Sequence, residues 1–205
     1  MIKGLVSIII PYRKDRGWLD LAIQSVYDQT YKDIELLIQK SDNGVSYNIN
    51  QGINRASGEF IKYLCEDDML TPNSISDSVK AMEGVDFIHG NAYMVKEDGS
   101  KTDYLPPVEY PTIKRMLHVN VIHGGTLMYR KEVFEKYGVF DETLTTGEEY
   151  DFNLKLLYHG AVLGYCNSFL YNYRLHPKQK SIGNRDRNYQ RSRKVIIDQI
   201  KKRYE

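Results

Sequence analysis

Apolar residues fill positions 5–10, "LVSIII", without alternation, between Gly4 and Pro11. A strand covered on both faces reads this way, so the run predicts a buried strand at the centre of a sheet. After it, "GWLDLAIQSVYDQ" sets Leu19, Ile23 and Val26 at spacings of four and three, which predicts an amphipathic helix, and "YKDIELLIQ" returns as a second strand. A helical crossover between two apolar strands implies parallel pairing and a right-handed connection. The pattern then repeats: "SYNINQGINRAS" predicts a helix, "EFIKYLC" a third strand, and "TPNSISDSVKAM" a helix with Thr71 as N-cap and Pro72 at its first position. With "VDFIHG" as a short fourth strand, the first ninety or so residues form an open, doubly wound sheet.

The alternation breaks after residue 90. "NAYMVKEDGSKTDYL" predicts a hairpin about Asp98-Gly99, and "PPVEYPTIKRMLHVNVIHGG" a long, partly ordered segment with one short helix. "TLMYR" is a strand, "KEVFEKYG" and "EEYDFNLKLLYHG" are helices closed by glycine, and "AVLGYC" and "FLYNYRLH" are two further strands. "NYQRSRKVIIDQIKKRYE" is a terminal helix.

Composition narrows the class. The 205 residues suit one α/β domain with at most a small extension, and a net charge of +1 is no match for nucleic acid. Seventeen tyrosines against 6 phenylalanines suit half-exposed clefts, where a ring buries and its hydroxyl finds a partner. The two cysteines, Cys65 and Cys166, lie in apolar runs without metal-ligand spacing; both read as reduced packing residues, which favours a cytoplasmic compartment. The opening "MIKGLVSIIIPY" has the basic-then-apolar order of a signal peptide, but Pro11 ends the run early, and a first strand explains it better.

Three charged groups carry the candidate chemistry. Glu66, Asp67 and Asp68 follow the third strand directly, at the carboxyl end where parallel sheets bind ligands. Crowded carboxylates repel one another, so a cation, a cluster of donors or open water must compensate: either a hard divalent cation such as Mg2+ or Mn2+ sits there, or the acids form a solvated turn that caps the next helix. Glu148, Glu149 and Asp151 fall in the first turn of a helix, where the macrodipole favours negative charge; they are either helix-capping acids or a general base facing the cleft. "YRLHPKQKS" gathers Arg174, His176, Lys178 and Lys180, able to meet a metal or a diphosphate, or simply a charged surface loop. Arg13, Lys14 and Arg16 past the first strand have the same two readings, phosphate grip or solubilised loop. No G-x-G-x-x-G, P-loop, G-x-S-x-G or H-E-x-x-H motif is present, which removes ground from dinucleotide oxidoreductases, P-loop enzymes, serine hydrolases and zinc proteases.

In order, "VSIIIPY", "LAIQSVYDQTYKDIELLI", "NQGINRASGEFIKYL", "DDMLTP", "GGTLMYRKEVFEKYGVFDE", "GEEYDFNLKLL" and "YNYRLHPKQKS" resemble the family 2 glycosyltransferases, across residues 5 to about 181. The resemblance implies the GT-A fold, a Rossmann-like, mainly parallel sheet flanked by helices with a smaller antiparallel portion on the acceptor side. It implies a single domain over 1–181, a nucleotide-sugar half to about residue 90 and an acceptor half from 91, followed by a basic helix over 182–205. It further implies an inverting transfer of sugar from a nucleoside-diphosphate sugar, a UDP-sugar above all, to a glycan or lipid-linked hydroxyl, with Mn2+ or Mg2+.

The family's D-x-D signature falls on Cys65-Glu66-Asp67, so the resemblance makes Asp67 the metal carboxylate, with Asp68 and His176 as further metal contacts. Cys65 stands where the family has an aspartate, and Gln39 and Lys40 stand where two aspartates follow the second strand, with Asp42 displaced. On the donor side the resemblance places Pro11, Arg13, Gln39, Asp42 and Arg55, together with Glu66, Asp67 and Lys178. On the acceptor side it places His123, Gly124, Gly125 and Glu148, with Glu149 as the general base. A first helical turn favours the ionised carboxylate, so burial must offset that preference if Glu149 is to be a good base. The departures at Cys65 and Gln39 leave an alternative, a non-catalytic module that binds nucleotide-sugar or glycan; a nucleotidyltransferase is a third, disfavoured by the lack of an N-terminal Gly-rich basic signature. Basic residues crowd 185–203 beside Val195, Ile196, Ile197 and Ile200, so the last helix either packs on its own domain or makes a peripheral contact with an anionic membrane.

Overall fold

The computed structural model describes residues 1–104, 108–177, 179 and 188–204. One sheet organises them, built from β1 (Ile2–Tyr12), β2 (Ile34–Lys40), β3 (Gly58–Tyr63), β4 (Met69–Leu70), β5 (Phe87–Val95), β6 (Lys101–Asp103), β7 (Met128–Arg130) and β8 (Leu163–Arg174). The helices are α1 (Leu19–Tyr27), α2 (Val45–Arg55), α3 (Ser74–Ala81), α4 (Ile113–His118), α5 (Lys131–Tyr137), α6 (Glu148–Tyr158) and α7 (Asn188–Tyr204), with a 3-10 turn over Gly124–Thr126.

The strand order is β2-β1-β3-β7-β5-β8-β4, with β6 paired to β5. β1, β2, β3, β5 and β8 run one way; β7, wedged between β3 and β5, runs against them, as do β4 and β6. The predicted parallel half and the smaller antiparallel portion are therefore both present, in one continuous sheet. β1, paired on both sides between β2 and β3, sends side chains into both faces. Val6, Ile8 and Ile10 enter one apolar core and Ile9 the other, all fully buried, each contributing roughly 2–3 kcal/mol of burial.

Four expectations need correction. The third strand stops at Tyr63 rather than Cys65: Leu64 still donates to the Ile9 carbonyl at 2.9 Å, but the chain then closes a turn in which Asp68 N donates to the Cys65 carbonyl at 3.1 Å. Thr71 does not cap α3. Its hydroxyl donates to the Phe169 carbonyl at 2.6 Å, tying the segment to β8, and the helix starts at Ser74 after Asn73. The short fourth strand and the first arm of the hairpin are one strand, β5, which turns through Asp98-Gly99 as expected and returns as β6. The two strands expected over 161–176 are likewise one: Gly90 pairs with Cys166 and Asn91 with Phe169, so Asn167 and Ser168 are absorbed as a bulge rather than ending the ladder.

α7 packs on the body of the protein. Ile196 and Ile200 are fully buried in the same core as Phe152 and Tyr150, and Arg193 Nη2 donates to the carbonyls of Leu117, at 2.6 Å, and His118 at the end of α4. Two of the residues that were candidates for a lipid-facing stripe are thus used internally. No helix among the described residues is long and apolar enough to cross a membrane.

Candidate active site

Two distant motifs meet because β4 pairs with β8. Met69 lies opposite Asn172 and Leu70 opposite Tyr171, so the turn carrying Glu66, Asp67 and Asp68 lies against the end of the strand that leads into His176. Tyr171 donates its hydroxyl to Asp68 Oδ2 at 2.9 Å, and Arg174 its backbone N–H to Asp68 Oδ1 at 2.8 Å. The Arg174 guanidinium donates to the Asp67 carbonyl at 3.0 Å. His176 Nε2 lies 3.0 Å from Asp67 Oδ2, its ring buried and packed against Trp18 at a tilt, with ring centroids 4.2 Å apart.

The three acids are relieved in three ways. Asp67 shares Oδ2 between His176 and Arg16, whose Nη2 stands at 3.0 Å. Glu66, buried, accepts from Arg16 Nε at 2.7 Å; burial and then Asp67 still raise its pKa. Asp68 is also buried, and desolvation followed by the charge of Asp67 pushes it well above the usual carboxylate range, against the pull of its two hydrogen bonds. The same two causes, burial first and then Asp68 and Asp67, push up the thiol of Cys65, which stays protonated.

At the ends of β1 and β2, Pro11 is buried opposite Gln39. Gln39 is 8% exposed, its Oε1 accepting a long 3.4 Å bond from Arg55 Nη1 while its Nε2 has no partner. A buried amide with free donors is a group awaiting an acceptor. Arg13 reaches across to Asp42 at 2.8 Å, both side chains almost fully exposed. The displaced Asp42 is therefore held to the loop after β1. Lys178 lies outside the described residues.

On the acceptor side, α6 begins at Gly147, whose φ of 80° is a left-handed value that a side chain would strain. Glu148 and Glu149 follow in the first turn, both half-buried. Gly124 abuts Glu149: a Cβ there would stand 3.0 Å from Glu149 Cγ and would also strike the Tyr63 hydroxyl. A Cβ on Gly125 would enter the Tyr171 ring. The Gly pair is thus a floor thin enough to let Glu149, Tyr63 and Tyr171 converge. Burial and then Glu149 push the Tyr63 phenol well above its ordinary value, so it stays protonated beside the carboxylate. His123 accepts from Gly125 N–H through Nδ1 at 3.2 Å and is ringed by Tyr104, Tyr171 and Tyr173; burial and the charge of Lys62 lower its pKa to about 4, leaving it neutral.

Sequence reasoning missed four contributors. Arg16 was grouped with its basic neighbours, although it alone of them contacts the acidic turn. Trp18, the single tryptophan, walls His176. Tyr171 looked like one of many strand tyrosines. Lys62, inside the run of the third strand, is fully buried, donating to the carbonyls of Gly125 at 3.0 Å and Leu127 at 3.2 Å beneath the glycine floor. Alternation would have found it, since Lys62 shares a strand face with the core residues Phe60 and Leu64.

Ligand atoms of Cys65, Asp67 and Asp68 all lie within 4.8 Å of one another, so this turn can hold a metal ion. Oxygen donors beside an imidazole suit a hard or borderline divalent cation. Asp67 is the member of this group that also meets an imidazole, His176 at 3.0 Å, although its Oδ2, like both oxygens of Asp68, is already engaged; the Cys65 thiol keeps its proton.

The architecture recurs in solved structures. TarS of S. aureus, residues 1–349 in complex with UDP, superposes with a TM-score of 0.70 over 94% of this chain and 64% of that one, at 14% identity. The mannosyltransferase PcManGT of Pyrobaculum calidifontis, in complex with GDP-Man and Mn2+, gives a TM-score of 0.64 over 87% of this chain and 59% of that one, also at 14% identity. The fold is that of these GT-A proteins. Among curated proteins, an uncharacterised glycosyltransferase of Rickettsia felis is 29% identical over 86% of this chain, which spans only 35% of that relative. The GalNAc(5)-diNAcBac-PP-undecaprenol beta-1,3-glucosyltransferase of Campylobacter jejuni is 28% identical over 48% of this chain and 41% of its own length. The family model for glycosyl transferase family 2 matches residues 36–138, from β2 through the acidic turn and the glycine floor to the end of α5, and the chain belongs to that family.

Proposed function

We propose that this chain is the catalytic domain of an inverting glycosyltransferase that moves a sugar from a nucleoside-diphosphate sugar to a hydroxyl of a glycan or lipid-linked acceptor. The observation that carries the reading is the convergence of Asp67 and His176, 3.0 Å apart at the carboxyl end of the parallel strands. UDP and UDP-GlcNAc in complexes of TarS, and GDP-Man in that of PcManGT, support a nucleotide-sugar donor, with a UDP-sugar as the first choice.

Asp67 and His176, backed by Asp68, would hold a divalent ion, Mn2+ or Mg2+, which when bound supplies positive charge against the departing diphosphate. The remaining roles belong to the chain itself. Gln39 offers its free amide donors to the nucleobase end of the crevice, with Arg55 fixing its oxygen, and Arg13 and Asp42 close over the ends of β1 and β2. Glu149 removes the proton of the acceptor hydroxyl, and the protonated Tyr63 phenol beside it polarises that encounter. A single in-line displacement inverts the anomeric carbon. Tyr104, His123 and Tyr173 present ring faces on the acceptor side, suited to the apolar face of a sugar.

The lipid-linked acceptor of the C. jejuni relative favours the same class here. The outer face of α7, with Arg191, Lys194, Lys201 and Lys202 exposed, would bring the site to an anionic membrane by charge alone. The test is a thermal-shift screen of UDP-, GDP- and dTDP-sugars with and without Mn2+. One nucleotide should stabilise the protein by several degrees, more with Mn2+ than without; no shift with any of them would overturn the reading.

A further inference from the structure

Arg16 sits where a cation is wanted. Its guanidinium bridges the acidic turn, Nε on Glu66 at 2.7 Å and Nη2 on Asp67 Oδ2 at 3.0 Å, and its Cζ lies 5.9 Å from the centroid of the Trp18 ring that also packs against His176. The pairing is sheltered, with the Arg16 side chain 30% exposed and Asp67 16%. An arginine keeps its charge at any physiological pH, so this is a permanent ion pair.

The oxygen that Arg16 occupies is the one nearest His176. A divalent ion sits roughly 2.0–2.6 Å from a carboxylate oxygen, so an ion taking this oxygen stands within about 5 Å of the guanidinium, and two cations that close in a sheltered site repel. We infer that Arg16 is the resident cation of the acidic turn, and that a divalent ion binds Asp67 by displacing it. The inference rests on the reading of Asp67 as a metal carboxylate and goes beyond it, since it makes ion binding an exchange of one cation for another. The exchange explains how three adjacent acids are tolerated before any ion arrives. It also gives the freed guanidinium a new acceptor, the diphosphate that enters with the ion, so the ion and the nucleotide should strengthen each other's binding.

Trp18 makes the exchange visible, because it is the only tryptophan in the chain and it touches both His176 and Arg16. Wild type, Arg16→Met, Lys14→Met and Asp67→Asn would be titrated with MnCl2 without nucleotide, free Mn2+ being read by electron paramagnetic resonance. Trp18 emission would be followed separately with MgCl2. Losing a charge-assisted, partly buried competitor should tighten Mn2+ binding in Arg16→Met by about tenfold. Lys14→Met, which removes an exposed charge from the same loop, should change it less than about twofold. Mg2+ should shift Trp18 emission in the wild type and not in Arg16→Met. Equal or weaker Mn2+ binding in Arg16→Met, or an equal gain in Lys14→Met, overturns the exchange while Asp67→Asn still loses the ion. Unchanged Mn2+ affinity in Asp67→Asn overturns the metal reading of Asp67 itself, and the exchange with it.

Discussion

The chain carries two acidic clusters at the mouth of one sheet, and they are made tolerable by different means. Glu66, Asp67 and Asp68 follow a strand, where the backbone offers no dipole, and each is matched by a side chain or amide from elsewhere: Arg16 from the loop after β1, Tyr171 and Arg174 from β8, His176 beyond it. Glu148 and Glu149 open α6, where the free N–H groups of the first turn already favour negative charge. The first cluster thus depends on residues brought from far along the chain, whereas the second starts from a helix N-terminus that favours its acids from the outset.

The largest effect should come from the locally supported cluster. Glu149→Gln keeps the size and the helix, and removes the carboxylate proposed as the base. It should cut sugar transfer by about 10^3-fold, within the range general base catalysis supplies, with UDP affinity within about twofold of wild type. Nucleoside diphosphate release measured with calorimetric UDP binding on the same samples decides it; transfer that survives would move the base to another residue and leave the two clusters functionally alike.

A second effect lies under the glycine floor, which supports Glu149 from below. Among the described residues the ammonium of Lys62 has no carboxylate paired with it, and burial lowers its pKa from 10.5 to about 7. Between those values the unfolded chain keeps a proton that the folded chain has released, so stability rises with pH across that window. Below about pH 7 both states are protonated, and the cost of burying the charge is fully present. Urea denaturation at pH 7 and pH 9 should therefore show wild type gaining about 2–3 kcal/mol relative to Lys62→Met, over a two-unit step at about 1.4 kcal/mol per unit. Parallel changes in the two proteins would show that Lys62 stays charged, and that the floor is held as the donor-side acids are, by an ion in the interior.

Legibility in the sequence follows the same division. β1 was readable because Val6, Ile8, Ile9 and Ile10 are apolar on both faces, and the first turn of α6 because its acids, glycine and helix lie within a few residues. The position of the acidic turn was readable too, at the end of a strand. Its partners were not. Arg16 meets Glu66 across fifty residues and Tyr171 meets Asp68 across 103, and nothing local to "DRGW" or "FLYNY" says which acid either will find. Asn167-Ser168 looked like a turn because small polar residues usually make one; pairing with β5 on both sides carried the strand through. The family resemblance ordered the motifs correctly, and the β4–β8 pairing that joins two of them had to come from the structure.

The smallest effects measure the contrast directly. Tyr171→Phe removes the hydroxyl that serves Asp68 at 2.9 Å and accepts from Cys65 N–H at 3.3 Å, leaving buried polar groups short of a partner. That should cost about 1–2 kcal/mol of stability. Glu148→Gln removes one half-buried charge from a helix N-terminus and should cost about 0.3–1 kcal/mol, less at high salt. The two variants, measured by urea denaturation at low and at about 1 M salt, where the Debye length is about 3 Å, should differ in kind as well as size. Salt should erase much of the Glu148→Gln effect and leave that of Tyr171→Phe, because a buried hydrogen bond is not screened. If both effects shrink alike, the donor-side acids are held by diffuse charge rather than by specific donors, and Arg16 would then be one cation among several instead of the partner the geometry shows.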